Sequence, residues 1–236
     1  MKPALILAGG LGTRLRAVVG ELPKPMADVA GHPFLWWLLK QLDKQGVKDA
    51  YLSVGYRHEM VRAGMGDVYG AMRLHYIVEE KPLGTGGAIF KAVQEIPGED
   101  VLVFNGDTLA MVDLAAFVAF ADASGADVAM AVARVEDATR YGTVEIDADR
   151  RIRAFVEKGR GGPGVINAGV YQLRKRALTS RSDLPARFSF EQDFLARLSG
   201  TLHLGAFLGV TDFIDIGIPE DYQTAQTKVP ALIEAM

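Results

Sequence analysis

Unbroken apolar runs alternate along this chain with stretches whose apolar residues recur at helical spacing. Ala4 to Ala8 is continuous rather than alternating, which fits a parallel strand buried on both faces. The stretch PFLWWLLKQLDKQG, which follows Gly31-His32, has helical spacing and stops at Gly46. Ala50 to Val54 reads as a strand, residues 57–66 as a helix and Leu74 to Val78 as a strand. A glycine-rich loop, Pro82-Leu83-Gly84-Thr85-Gly86-Gly87, then leads into AIFKAVQEI, an amphipathic helix. Val101 to Phe104 and Asp127 to Ala133 read as further buried strands. Tyr141 to Ile146 and Ile152 to Lys158 flank the turn-prone Asp147-Ala148-Asp149, a hairpin signal. Residues 159–164 read as a mobile loop before a strand from Val165 to Tyr171. Ser189-Phe190-Glu191-Gln192 has the pattern of a capping box opening a helix, and Pro219 to Glu234 reads as a terminal helix with Pro219 in its first turn. Strand and helix in this order predict an α/β fold: a doubly wound, mostly parallel, Rossmann-like sheet with helices on both faces.

Composition narrows the picture. At 236 residues, with 49% hydrophobic and 23% charged, the chain fits one soluble domain spanning 1–236. No 18-residue apolar run predicts a membrane span, and Met1-Lys2-Pro3 runs into the first strand without room for a signal peptide. The absence of cysteine excludes disulfides, thiolate zinc sites and a cysteine nucleophile, and fits a cytoplasmic location. A net charge of −3 weighs against a nucleic-acid partner, yet leaves room for a cationic pocket built for one polyphosphate. The histidines, His32, His58, His75 and His203, show no metal-ligand spacing and read as structural or surface residues. Trp36 and Trp37, placed mid-helix, read as core or subunit interface rather than base-stacking residues, which leaves a homodimer open. No 20–50-residue repeat is visible, and nothing after residue 217 has a hexapeptide period.

Candidate chemistry gathers first in residues 4–26. Gly9, Gly10 and Gly12 let the backbone approach an anion and turn N–H groups toward it. Arg14 adds a planar cationic fork, and Lys24 a point charge stiffened by Pro23 and Pro25. Two better-known phosphate loops are excluded. Leu15 stands where G-x-G-x-x-G needs its last glycine, and no Gly-Lys-Ser/Thr follows. Asn105-Gly106-Asp107 suits a hairpin turn only between alternating strands; its flanks do not alternate, so Asp107 belongs at the carboxyl end of a buried strand, the edge where open parallel sheets bind ligands. Glu79, at the exit of another strand, could read a base. A carboxylate accepts from guanine N1–H and N2–H together, or from the imino N–H of uracil or thymine, and is wrong for adenine and cytosine.

The stretch LAGGLGTRL followed by PKPM resembles the signature of the sugar-1-phosphate nucleotidyltransferases. The later order Y-G-T, E-K, N-A-G-V-Y is similar as well, and the opening, with SVGY and KPLGTGGAI, looks most like the short bacterial guanylyltransferases acting on D-glycero-α-D-manno-heptose 1-phosphate. The resemblance implies a GT-A-like fold, GTP and a sugar 1-phosphate as substrates, and Mg2+ held by Asp107 and Asp215. It implies Arg14 and Lys24 as catalytic residues. Nucleotide contacts would come from Leu7, Ala8, Gly9, Gly10, Gly12, Thr13, Glu79, Pro82, Gly84, Thr85 and Gly106. Gly142 would offer backbone groups to the sugar, Glu157 and Asn167 would bind its hydroxyls, and Lys158 would pair with its phosphate. The product would feed capsule, lipopolysaccharide or surface-layer glycans. Ile218 departs from the family's usual Gly-Thr-Pro and removes one hydroxyl. Other readings stand beside this one. UDP-, dTDP- or GDP-activated hexoses or amino sugars are near alternatives. A glycosyltransferase would carry Asp-x-Asp where Asn105-Gly106-Asp107 lacks the first aspartate, and an inactive paralogue would have lost Arg14, Lys24 or an aspartate.

Overall fold

The structure, a computed structural model, describes residues 1–10, 20, 22–156, 159 and 161–236. Strand β1 (Ala4–Leu7) is followed by a short 3-10 turn at Lys24–Met26, a ribbon of β2 (Asp28–Val29) and β3 (His32–Pro33), and helix α1 (Phe34–Lys44). Then come β4 (Asp49–Val54), α2 (His58–Met65), β5 (Val68–Tyr69), β6 (Met72–Val78), α3 (Gly84–Ala92), β7 (Asp100–Asn105) and β8 (Thr108–Met111). Helix α4 (Leu114–Ser124) precedes β9 (Val128–Val135), β10 (Thr143–Ile146), β11 (Ile152–Val156) and β12 (Gly164–Arg174). The chain ends with α5 (Lys175–Thr179), α6 (Phe190–Ala196), β13 (Leu204–Phe207), β14 (Asp212–Asp215) and α7 (Pro219–Glu234). These elements form two compact units, the first from residues 1–82, 104–109 and 214–236, the second from 83–103 and 110–213.

The first unit is a parallel sheet with helical cover. β4 pairs in parallel with β1 and with β6, and the short β5 closes the edge antiparallel to β6. Leu5, Ile6, Leu52 and Val54 are buried, as continuous apolar strands require. Along α1, Leu35, Leu38, Leu39 and Leu42 are buried at helical spacing, and Gly46 (φ 79°) follows its end in the left-handed conformation glycine adopts most readily. Each fully buried Leu contributes roughly 1.5–3 kcal/mol of hydrophobic stabilisation. Trp37 is buried with its indole N–H donating to the Val29 carbonyl (2.8 Å), while the less buried Trp36 stacks on His32 at a centroid distance of 4.0 Å. In α7, Ala225, Val229 and Ile233 form the buried face, and Pro219 occupies the first turn as expected. Pro230, which the sequence reading passed over, lies inside that helix.

The second unit is mixed. β9 pairs antiparallel with β12 and parallel with β13, and β10 pairs antiparallel with both β11 and β12, so the expected hairpin across Asp147-Ala148-Asp149 forms. The β9–β12 register shifts between Asn167 and Val170, where Gly169 has φ 73°. Such a bulge re-aims side chains. Helix α4 is capped by the Asp113 carboxylate, which accepts from the Ala116 N–H (3.0 Å).

Two local expectations need correction. Gly84 to Gly87 do not form a loop before a helix; they are the first turn of α3. Tertiary packing overrides glycine's preference for loops here, because α3 lies against the segment leading into α6, where only glycines fit. A Cβ on Gly86 would sit 2.1 Å from the Phe188 ring, and one on Gly87 2.7 Å from the Ala186 carbonyl oxygen. The second correction concerns the cap of α6. Ser189 accepts from the Gln192 N–H (3.2 Å) as a capping box requires, but the reciprocal bond comes from Asp193, whose carboxylate accepts from the Ser189 N–H (2.7 Å). The helix is wound wide, with Arg197 N–H donating to the Gln192 carbonyl five residues back (3.2 Å), so position 193 reaches the place Gln192 was expected to fill.

Candidate functional site

In the first unit the carboxyl ends of the strands bring several of the expected site residues together. The Ala8 N–H extends the ladder to the Ser53 carbonyl (2.8 Å), the Glu79 N–H donates to the Val54 carbonyl (2.7 Å), and the Gly106 N–H donates to the Leu7 carbonyl (3.1 Å). These bonds set Leu7, Ala8, Gly9, Glu79 and Gly106 along one edge. Gly106 is required there, since a Cβ would come within 2.5 Å of the Leu7 carbonyl oxygen. The Glu79 carboxylate accepts from the buried Ser53 hydroxyl (2.9 Å), and a Cβ on Gly9 would stand 3.0 Å from the same oxygen. Gly10 is different: nothing among the described residues lies within 4 Å of where its Cβ would be. Gly12, Thr13 and Arg14 lie outside the described residues, as do Glu157 and Lys158.

The same edge brings Lys24 to both aspartates. Pro23 is extended at φ −55° and ψ 138°, and its carbonyl accepts from the Met26 N–H (2.8 Å), which fixes the short turn that starts at Lys24. The Lys24 ammonium donates to Asp107 Oδ2 at 2.6 Å and lies 3.8 Å from Asp215 Oδ1; its side chain is only 12% exposed. Asp107 follows β7 in a two-residue turn, and its carbonyl accepts from the Ile216 N–H (3.1 Å), which ties the two aspartate-bearing segments together. Asp215 Oδ1 also accepts from the Gly217 N–H (2.7 Å). Burial, and then the neighbouring charge of Asp107, raise the Asp215 carboxyl above its ordinary pKa; Lys24 and the Gly217 N–H oppose that rise. Negative charge therefore exceeds what one ammonium comfortably offsets.

Two carboxylates facing one shared cation suit a hard divalent ion. Among the described residues no group of three or more His, Cys, Asp or Glu side chains gathers into a metal-binding set. Mg2+ does not need one, because it keeps waters and substrate phosphates around one or two carboxylates. Asp107 and Asp215 fit it by donor type and number.

In the second unit, Thr85 Oγ1 accepts from the Phe190 N–H (2.9 Å) and the Gly86 N–H donates to the Phe188 carbonyl (3.0 Å), fixing the start of α3. Gly84 has φ 71°, with the Phe188 carbonyl oxygen 2.5 Å from where a Cβ would be. Pro82 is exposed at the end of the first unit. A Cβ on Gly142 would lie 3.2 Å from the Val156 carbonyl oxygen. Asn167, at the bulge, is held firmly. Its amide donates to Tyr171 Oη (2.6 Å) and Glu191 Oε1 (2.9 Å), and its oxygen accepts from the Gly169 N–H (3.0 Å). Sequence reasoning missed Glu191, which had been noticed only as part of a helix cap; no local signal pairs it with a residue 24 positions earlier.

A family model described as nucleotidyl transferase matches residues 3–231, and the chain belongs to that family. It is 45% identical over 226 residues to a D-glycero-alpha-D-manno-heptose 1-phosphate guanylyltransferase from Aneurinibacillus thermoaerophilus, covering 96% of this chain and 97% of that protein. A guanylyltransferase of the same name from Campylobacter jejuni is 37% identical, over 93% of this chain and 96% of its own length. Among solved structures, HddC from Yersinia pseudotuberculosis complexed with GMP-PN superposes with a TM-score of 0.85 at 40% identity, covering 97% of this chain and 99% of that one. The likeness bears out the mostly parallel, nucleotidyltransferase-type fold read from the sequence, with a sheet that is mixed in its second unit. No helix among the described residues is long and apolar enough to cross a membrane.

Proposed function

We propose that this chain transfers GMP from GTP to D-glycero-α-D-manno-heptose 1-phosphate, giving GDP-heptose and pyrophosphate, with residues 1–236 acting as one nucleotidyltransferase domain in the cytoplasm. The observation that carries the chemistry is the Lys24 ammonium set against Asp107 and Asp215 on a glycine-lined strand edge. The choice of substrates rests on the near end-to-end likeness to two guanylyltransferases of that name and to a structure with GMP-PN.

A phosphate oxygen of the sugar 1-phosphate attacks the α-phosphorus of GTP, and the bond to the leaving pyrophosphate breaks in line. The attacker is already an anion, so no general base is needed. Charge repulsion and alignment make the barrier, and cations and positioning lower both. Arg14 with the amides of Gly9, Gly10 and Gly12 would hold the departing pyrophosphate, and Lys24 would turn from the aspartates toward the reacting phosphates. Leu7, Ala8, Thr13, Pro82, Gly84, Thr85 and Gly106 would hold the nucleotide, with Glu79 reading guanine. Gly142, Glu157 and Asn167 would bind the sugar and Lys158 its phosphate. Asp107 and Asp215 would hold Mg2+, which when bound supplies positive charge to the phosphate oxygens.

A pyrophosphate-release screen crossing GTP, ATP, UTP, CTP and dTTP with a panel of sugar 1-phosphates tests the reading. The largest kcat/KM should belong to GTP with the heptose 1-phosphate. A larger value for UTP or dTTP with a hexose 1-phosphate would replace the substrates but keep the reaction. Consumption of a sugar nucleotide without pyrophosphate release would replace the reaction itself.

A further inference from the structure

A cleft of about 450 Å3 in the second unit opens beside α5, within the size range of small-molecule sites. Arg176, Ser180 and Arg181 line one side, and Asp127 and Thr201 also face it. Its apolar lining is the buried pair Ala177 and Leu202. None of these residues belongs to the set proposed for nucleotidyl transfer.

The cleft carries two arginines and one carboxylate. Among the described residues, no hydrogen bond or ion pair engages the guanidinium of Arg176 or Arg181, although the chain as a whole is net acidic at −3. By contrast Arg197, from the neighbouring helix, is neutralised by Asp183 at 3.0 Å. Asp127 is the one carboxylate facing the cleft, and its Oδ2 already accepts from the His203 N–H (3.0 Å). Two arginines against one carboxylate leave the cleft lining with an excess of positive charge, which a bound anion offsets. The guanidinium fork matches phosphate oxygens in pairs. Around it, the Ser180 hydroxyl can donate or accept, the Thr201 hydroxyl, which donates to the Leu198 carbonyl (3.1 Å), can accept, and Asp127 keeps acceptor capacity. That combination suits a ligand with a phosphate at one end and hydroxyls at the other.

We propose that this cleft is a second ligand site, binding a phosphorylated sugar with Arg176 and Arg181 on the phosphate and Asp127 and Ser180 on the hydroxyls. The test is calorimetric titration of the full chain with glucose 6-phosphate, and separately with inorganic phosphate. Wild type should bind glucose 6-phosphate at least tenfold more tightly than phosphate. Arg176→Ala/Arg181→Ala should weaken the sugar phosphate at least tenfold while keeping the melting temperature and the ligand-free turnover. Lys24→Ala, which alters the transfer site, should leave this binding unchanged. Wild-type binding that survives the double arginine substitution, or that disappears with Lys24→Ala, would overturn the assignment. Equal affinity for phosphate and glucose 6-phosphate would overturn the part played by Asp127 and Ser180. Turnover lost in the double arginine variant would place the cleft in the transfer reaction instead.

Discussion

Two glycine clusters that look alike in the sequence owe their glycines to different causes. At Gly84, Gly86 and Gly87 an added Cβ would collide with Phe188 or Ala186, so the packing of α3 demands glycine, at Gly84 together with its positive φ. Gly9 and Gly106, at the strand edge of the first unit, are also confined, by Glu79 and by the Leu7 carbonyl. Gly10 has no such neighbour among the described residues, and its φ is not positive. On the reading proposed above, its bareness serves the phosphate of a bound nucleotide. Packing thus accounts for the bareness of Gly84, Gly86 and Gly87, whereas among the described residues it does not account for that of Gly10.

Substitutions break this contrast most sharply in the first unit. Gly10→Ala should leave the melting temperature near wild type yet lower kcat/KM by roughly 10²-fold, the cost of displacing a substrate by about an ångström. Normal activity in that variant would remove Gly10 from the phosphate contacts. Gly86→Ala should do the reverse, destabilising the fold by about 1–3 kcal/mol through overpacking against the Phe188 ring. In a double-mutant cycle with Phe188→Ala the two losses should sum to more than the pair costs together; strict additivity in chemical denaturation would show that the ring is not the obstacle.

Glu79→Gln should lower kcat/KM for GTP by about tenfold and narrow the gap to UTP and dTTP, since the amide puts one donor where guanine also donates. Unchanged selectivity would take Glu79 out of base reading and leave it as the partner of Ser53. The smallest effect expected is at Asp215. Its folded pKa is raised, so the folded state holds the proton more tightly than the unfolded chain. Stability from that group is complete below the unfolded carboxylate pKa of about 3.9 and is lost as pH rises through the folded value. Asp215→Asn should accordingly melt slightly higher than wild type at neutral pH, the difference shrinking as the buffer is acidified. A lower melting temperature at neutral pH would mean that the charge is satisfied in the fold.

Much of the first unit was legible because its signals are local. Continuous apolar runs marked β1 and β4, and the order of short motifs pointed to Lys24, Asp107 and Asp215, which the structure unites around one ammonium. What the sequence concealed depends on partners far along the chain. Gly84 reads as loop until Phe188 packs on it from about a hundred positions away, Glu191 joins Asn167 only across the bulge of β12, and Asp193 takes over a capping bond because α6 is wound wide. The arginine-lined cleft is invisible for the same reason: pairing of Leu204 with Val128 brings the Thr201 turn beside Asp127.

The account turns on two aspartates sharing one divalent ion, and Mn2+ binding measured by electron paramagnetic resonance with a non-hydrolysable GTP analogue tests it most directly. One Mn2+ should bind per chain in the wild type, and Asp107→Asn and Asp215→Asn should each weaken it by an order of magnitude or more while the fold stays intact. Wild-type Mn2+ affinity in either variant would contradict the shared site and, with it, the arrangement of charge from which the reaction was derived.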